Sequence, residues 1–415
     1  MWLLGCAINT PPIIKHMDDY KVKTSCRICG SKKLLNVVDF GEVPLANGLL
    51  KNGFRVKKYP LSVNFCEYCS LTTLGVVVDP KILYDDYKYH SSVSDTFKAH
   101  CKSLVFEVMS RIGNYNKKVV DIASNDGCLL REFKKLGFNV VGIEPAENLA
   151  KIANESGIYT INKFWNGDIL LPEKVDCITA TNVFAHVDDI NGFVKGVVNN
   201  LKDGGVFVIE VPWLYRLISG NQFDTIYHEH LSYFLLKPII YKLKEHSLDV
   251  FRVRISEIHG GSLTVFVTNN TSKILIERTV NEVLAIEEKE GLYFAASYRK
   301  FGDNIEYAKQ QFLHMINDLS HKKIAGFCAS AKGTSLINYC GITNKQIPII
   351  CDETPAKQGL KVPGANIPIV SMGKLREYNP DYIVLFSWNF IDELKKKTAW
   401  FRGRYIIPIP YARVE

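Results

Sequence analysis

The chain has 415 residues, of which 47% are hydrophobic and 23% charged, with a formal net charge of +8. That length exceeds what one core usually holds and predicts about two or three domains at roughly 100–200 residues each. The composition excludes a disordered, collagen-like or disulfide-dense chain, and the mild positive charge lacks the long Lys/Arg runs of a nucleic-acid binder.

The first residues, Met1 to Ile14, are apolar, but they have no basic start and are broken by Asn9, Pro11 and Pro12. They fit a signal peptide poorly. No stretch reaches the ~18 apolar residues of a membrane span, so the expectation is a cytoplasmic protein with no membrane partner. Residues 1–20 read as an N-terminal extension. Residues 1–16 are expected to be dispensable, because Met17 heads a more conventional lead-in.

Of the 11 cysteines, Cys6, Cys101, Cys128, Cys177, Cys328, Cys340 and Cys351 follow no pairing pattern. They read as buried thiols in a reducing compartment. The other four form two knuckles, Cys26-Arg-Ile-Cys29 and Cys66-Glu-Tyr-Cys69. Each knuckle can place two thiolates on one tetrahedral ion, which points to zinc. A four-cysteine site keeps no open position, so this zinc is expected to be structural, stapling a small domain over residues 21–85. The long insertion between the knuckles must fold by itself and return the chain to the metal.

From Lys117 short apolar runs alternate with helical periods, which predicts a parallel sheet with crossovers, here a Rossmann-like domain over 86–270. VVDI, FNVVGIE, VDCITAT and GVFVIEVP read as its strands. Ligand is then expected at their carboxyl ends. Asp121 ends the first strand and Glu144 the second, where a carboxylate can take two ribose hydroxyls. The turn ASNDG has a single glycine, Gly127, instead of a dinucleotide fingerprint. Its acid, Asp126, repels phosphate and suits a cationic adenosyl ligand such as S-adenosylmethionine; Asp126 is alternatively a helix N-cap.

A second polar constellation, FDTIYHEHLSY (223–233), follows the VFVIEVP strand. It lacks the H-E-x-x-H spacing of a zinc hydrolase and suits general acid/base work. His186, just past another strand's carboxyl end, is expected to face the same crevice, the alternative being a satisfied core histidine. Tyr84, Tyr87 and Tyr89 either cover the site or simply pack.

The His259-Gly260-Gly261-Ser262 stretch is expected to begin a strand pair completing this sheet. Residues 271–320 show apolar spacing of i, i+3 and i+4 and read as a helical linker. KIAGF, IPIIC and DYIVLF then predict a second Rossmann-like α/β domain over 321–415.

At the level of whole blocks the sequence resembles the sugar C-methyltransferases, which use S-adenosylmethionine to methylate C-3 of nucleotide-linked 4-keto-deoxyhexoses. The resemblance runs from Cys26 to the end. It rests on CRICG with VPLAN, FCEYCSL, DIASNDG with GIEPA, TNVFAHVDDI, FDTIYHEHLSYF, HGGSL, AKGTSLINYCGI, DETPAKQGLKVPGANIPI and SWNFIDEL with IPIP. It implies a four-cysteine zinc domain, a class I methyltransferase domain and a C-terminal Rossmann-like domain, with the substrate between the last two. It also implies that Asp121, Ala123, Ser124, Asn125, Asp126, Gly127, Glu144 and Asn182 hold the cofactor. His230 becomes the expected base at C-3, with Glu229 orienting or relaying, Tyr227 and His186 on the enolate oxygen, and Tyr89 or Tyr87 near the sugar. Tyr87, His228, His259 and Lys332 are expected on the substrate. Lys332 is either a diphosphate contact at a helix N-terminus or an exposed side chain. The family implies a monomer whose partner is a nucleotide-diphospho-keto-deoxysugar. Two other readings stay open: an epimerase that exchanges the C-3 proton without methyl transfer, and a zinc-ribbon nucleic-acid or scaffold protein. The turn CASAKGTSL departs from the family's usual Tyr-Gly start.

Overall fold

A computed structural model describes residues 19–51, 56–84, 90–93, 95–269 and 274–415. The extension expected over residues 1–16, and Tyr87 and Tyr89, lie outside the described residues.

The chain between the two knuckles forms a hairpin, Leu34–Pro44 against Lys58–Cys66. The second strand alternates partly exposed with buried Tyr59, Leu61, Val63 and Phe65, so one face has a core to bury. Thr72–Leu74 adds a third strand, and the fourth comes from far along the chain: Ser232–Tyr233 pairs antiparallel with Thr72–Thr73. Those two residues lie within the 86–270 stretch that the sequence reading gives to the central unit, yet they pair with the metal module's sheet. Phe65 stacks on Tyr298 at 3.8 Å. That contact joins the hairpin to the helix Ala295–Asp318, whose buried Tyr298, Phe301, Ile305, Ala308, Phe312 and Ile316 fall on one face.

The central sheet has seven strands. Numbered in chain order from Lys118–Ile122, they lie 3-2-1-4-5-7-6. The first five (Lys118–Ile122, Asn139–Ile143, Thr160–Ile161, Val175–Thr181, Leu201–Pro212) are parallel, and Ser262–Asn269 inserts antiparallel between Leu201–Pro212 and Leu248–Ser256. Val175–Thr181 is buried almost throughout, as a strand covered by helices on both faces must be. The order reverses between the first and fourth strands, which opens a crevice at their carboxyl ends.

The last sheet has six strands in the order Ile369–Val370, Ile350–Cys351, Ile324–Phe327, Tyr382–Leu385, Arg404–Ile407, Arg413–Val414; only the last is antiparallel. Arg278–Lys289 packs against the edge strand Leu248–Ser256 of the central sheet. Its fully buried Glu287 accepts from Trp213 Nε1 (2.9 Å), the Leu236 amide (2.6 Å) and the Tyr293 hydroxyl (3.0 Å). Leu61, Phe207 and Ile337 belong to one continuous core, so the three regions pack as a unit. No helix among the described residues is long and apolar enough to cross a membrane.

Candidate active site

A cavity of about 530 Å³ opens at the carboxyl ends of the central strands and reaches the metal module and, at Lys332, the C-terminal helix Ala331–Tyr339. Its walls divide into an acidic end and a histidine end.

The acidic end is built by the turn after Lys118–Ile122. Ala123, Asn125 and Gly127 all take positive φ (55°, 52° and 80°). A Cβ on Gly127 would also meet Ile158 at 3.2 Å, which explains why the turn's one glycine stands there. Asp121 is 2% exposed and accepts from Thr179 Oγ1 at 2.6 Å. Burial, with a smaller contribution from the neighbouring Glu144 charge, pushes its carboxyl up to about 7. Glu144 accepts from the Asn125 amide through Oε2 and from the Ala146 amide through Oε1, both at 2.8 Å. Burial nonetheless raises its pKa. Each oxygen keeps a second acceptor site, enough for a pair of hydroxyls. Ser124 and Asn182 also line the cavity, and the buried Ser124 Oγ and Asn182 Oδ1 lack hydrogen-bond partners among the described residues. Carboxylates and open polar atoms of this kind fit the hydroxyls and positive charge of S-adenosylmethionine.

Asp126 and Gly127 do not line the cavity. The Asp126 carboxylate receives the Ser92 amide at 3.0 Å and pairs with Arg131. It caps no helix either: Gly127 is the N-cap of Cys128–Lys135, without a side-chain bond.

At the other end His186 and His230 stand edge to face, with ring centroids 5.1 Å apart. His230 Nδ1 lies 2.8 Å from the Thr225 carbonyl, which can only accept, so Nδ1 carries the hydrogen. Nε2 is left as the acceptor in the neutral ring and receives the Tyr227 hydroxyl at 3.1 Å. Burial, reinforced by the His230 neighbour, pushes His186 down to about 3; burial also takes His230 down to about 4, against the Thr225 bond, with Lys332 adding to the fall. Both rings are therefore neutral at pH 7. His186 Nδ1 is 3.0 Å from the Tyr84 hydroxyl. His259, at φ 56°, and Lys332 complete this wall. The Lys332 ammonium sits 5.1 Å from the Trp388 ring centre, and Trp388 Nε1 donates to the buried Asp224 at 2.8 Å.

His228 and Glu229 turn away from the cavity toward the hairpin. His228 Nε2 bonds the Pro60 carbonyl at 3.2 Å, and Glu229 accepts from Asn47 at 2.6 Å. The bond that orients His230 comes instead from Thr225. Sequence reasoning also missed Glu210, wholly buried and receiving Thr264 Oγ1 at 2.8 Å with His100 Nε2 at 2.7 Å. Its signal was available as the single acid inside the apolar run VFVIEVP. Glu210 lies behind the cavity wall, its Oε1 3.4 Å from Asn182 Nδ2, whereas Trp165 and Phe164 line the cavity and carried no comparable signal.

At the knuckles Cys26 and Cys69 Sγ atoms lie 3.4 Å apart, Cys29 and Cys66 3.6 Å apart, and all four sulfurs lie within 4.8 Å of one another. Tetrahedral zinc with Zn–S of about 2.3 Å needs sulfurs separated by about 3.8 Å, so the set fits that ion.

Strand order and an acidic carboxyl-end crevice define a class I methyltransferase, here joined to a four-cysteine zinc module. Family models match in series: "Putative zinc binding domain" over residues 26–84, "Methyltransferase domain" over 97–244 and "C-methyltransferase C-terminal domain" over 257–410. The chain is 35% identical to the C-methyltransferase NovU of Streptomyces niveus, over 97% of this chain and 98% of that protein. A shorter stretch, 22% of the chain, is 33% identical to a ubiquinone biosynthesis O-methyltransferase of Bradyrhizobium sp. (strain ORS 278), covering 38% of it. Among solved structures, an S-adenosylmethionine-dependent methyltransferase from Clostridium acetobutylicum ATCC 824 shares 18% identity over 43% of this chain and 93% of that one, with a TM-score of 0.36. The protein belongs to the S-adenosylmethionine-dependent C-methyltransferase family.

Proposed function

We propose that this C-methyltransferase acts at C-3 of a nucleotide-diphospho-4-keto-deoxyhexose, through an enolate formed by a histidine base. The observation that carries the reading is the neutral His230, whose Nε2 acceptor is aligned by the Thr225 carbonyl beside Tyr227 and His186. A carbon acid must lose its proton before it can attack a methyl group, and the ketone at C-4 acidifies the adjacent C–H. The Tyr227 hydroxyl hydrogen turns from Nε2 to the ketone oxygen, which frees the Nε2 lone pair to take that proton while the electron pair moves onto the ketone oxygen. Once protonated, Nε2 donates to the Tyr227 oxygen, whose own hydrogen stays on the enolate oxygen alongside His186. S-adenosylmethionine, when bound at Asp121, Ser124, Glu144 and Asn182, supplies an electrophilic methyl group on a sulfonium.

His259 and Lys332 stand on the sugar-nucleotide side. The Lys332 cation, beside Trp388, suits the diphosphate. The proposed organisation keeps a zinc module over 21–85, a methyltransferase unit over 86–270, a helical linker over 271–320 and a C-terminal unit over 321–415. We place the protein in the cytoplasm as a monomer without a nucleic-acid partner. The described cysteines outside the metal site form no disulfide, which fits a reducing compartment.

The test incubates the protein with thymidine-diphospho-4-keto-6-deoxyhexose in heavy water, with and without S-adenosylmethionine, and weighs and maps the sugar. A methyl at C-3, gained only with cofactor and slowed about 10²–10⁴-fold in His230→Ala, supports the reading. Deuterium at C-3 without any methyl would point to an epimerase, and a methyl at C-5 would move the enolate to the ketone's other side.

A further inference from the structure

We propose that Arg27, the residue between two metal ligands of the first knuckle, is a positioning residue that ties the four-cysteine site to His186 and His230. Its side chain is fully buried. Nε donates to Asp188 Oδ1 at 3.0 Å, and Asp188 lies two residues past His186. Nη1 donates to the Leu231 carbonyl at 2.9 Å, directly after His230, and to the Leu74 carbonyl at 3.0 Å. One guanidinium therefore reaches both histidine-bearing segments from the metal loop.

The anchorage at His230 is not Arg27's alone. The Leu231 carbonyl also receives the Leu74 amide at 2.9 Å and Thr73 Oγ1 at 3.0 Å, so three donors of the metal module converge on it. Ser232 and Tyr233 then continue as a strand of that module's sheet, paired with residues just beyond Cys69. Asp188 is held from the same side by Lys23 at 2.9 Å. A planar fork serving three acceptors in different directions cannot be replaced by the point charge of lysine. A four-thiolate zinc centre is a dianion, and the guanidinium on the adjoining residue offsets part of that charge while spanning to the segments that carry the histidines. Loss of zinc frees the backbone that carries Arg27, and with it both contacts.

The consequence for catalysis rests on the function proposed above, but the test does not. Full-length protein labelled at histidine 13Cε1 reports its 10 histidines by NMR without any sugar substrate. In Arg27→Lys, zinc content is expected to stay stoichiometric and S-adenosylmethionine affinity to stay within about threefold. The His186 and His230 signals move while those of the exposed His314 and His321 do not. Removing zinc from the wild type with a chelator moves the same two signals. Asp188→Asn, which leaves the knuckle untouched, moves His186 and spares the zinc. Should Arg27→Lys disturb all ten signals, Asp188→Asn decides. Unmoved His186 in Asp188→Asn, unmoved His186 and His230 in a folded Arg27→Lys, or loss of zinc from Arg27→Lys would each overturn the proposal. Where the methyl-transfer assay is available, Arg27→Lys lowers kcat about 10–100-fold at unchanged KM for S-adenosylmethionine, the cost of a displacement near 1 Å.

Discussion

The parallel parts of the two mixed sheets repeat one device with opposite outcomes. In the central sheet, Glu144 at the end of the second strand accepts the Asn125 amide of the preceding turn and the Ala146 amide two residues on. In the C-terminal sheet, Asp352 at the same place accepts the Ala329 amide at 3.0 Å and the Thr354 amide at 2.9 Å. The difference is Lys357, whose ammonium lies 3.1 Å from Asp352 and 3.0 Å from the Ala329 carbonyl. Among the described residues no lysine hydrogen-bonds Glu144, which lines the cavity. The following helices differ likewise: Ser330 caps Ala331–Tyr339 by accepting from the Gly333 amide at 3.2 Å, whereas Cys128–Lys135 has no side-chain cap. A self-satisfied turn is structural, and an unsatisfied one is a place for ligand.

The sharpest way to break this contrast is to remove each carboxylate. Glu144→Ala is expected to weaken S-adenosylmethionine binding about 100-fold, near 3 kcal/mol for charge-assisted bonds to two hydroxyls. Asp352→Ala should change it less than about twofold by titration calorimetry. Equal losses in the two variants would end the assignment of the cofactor to the central sheet.

Next in size is a pH effect. With its carboxyl raised to about 7, Asp121 holds a proton in the free folded protein that an unfolded chain loses near 4. Stability of the ligand-free protein from this group therefore falls as pH rises from about 4 through 7. A cationic ligand favours the ionised form, so S-adenosylmethionine affinity should climb about tenfold between pH 6 and 8, and Asp121→Asn should flatten the profile. A flat wild-type curve would mean that the ligand does not meet this carboxylate.

Smaller effects belong to the closed turn. Lys357→Met leaves Asp352 without its cation and should cost about 1 kcal/mol in urea unfolding, discounted because Lys357 is partly exposed. Affinity for the cofactor stays as it was. Ser330→Ala should cost about 0.5–1 kcal/mol through the lost cap, again with unchanged binding.

Much of this was legible in the residues. The two CxxC knuckles announce a closed metal site because thiolate spacing within one turn is a local property. Asp121 and Glu144 were located because a parallel strand ends where its apolar run ends. The helix Ala295–Asp318 was readable from its repeat. The turn 226–231 has no period, and nothing local distinguishes Tyr227 and His230, which face the cavity, from His228 and Glu229, which face the hairpin. Asp126 looked like a cofactor-facing acid or a cap, and it became an anchor for Ser92 through a contact from a distant part of the chain. The acceptors that Glu144 still offers could be counted only once its two amide donors were known.

By itself the sequence determined the local chemistry: four thiolates for one ion, carboxylates at the ends of two parallel strands, and a dense group of titratable side chains after the fifth strand. Periodicity and short-range spacing encode such features directly. Only the tertiary structure decided which of those side chains share a cavity, that Arg27 spans from the metal loop to both histidine segments, and that Ser232–Tyr233 completes the metal module's sheet. Those outcomes depend on pairing between segments about 160 to 200 residues apart, where burial and hydrogen-bond satisfaction across the whole core choose the partner.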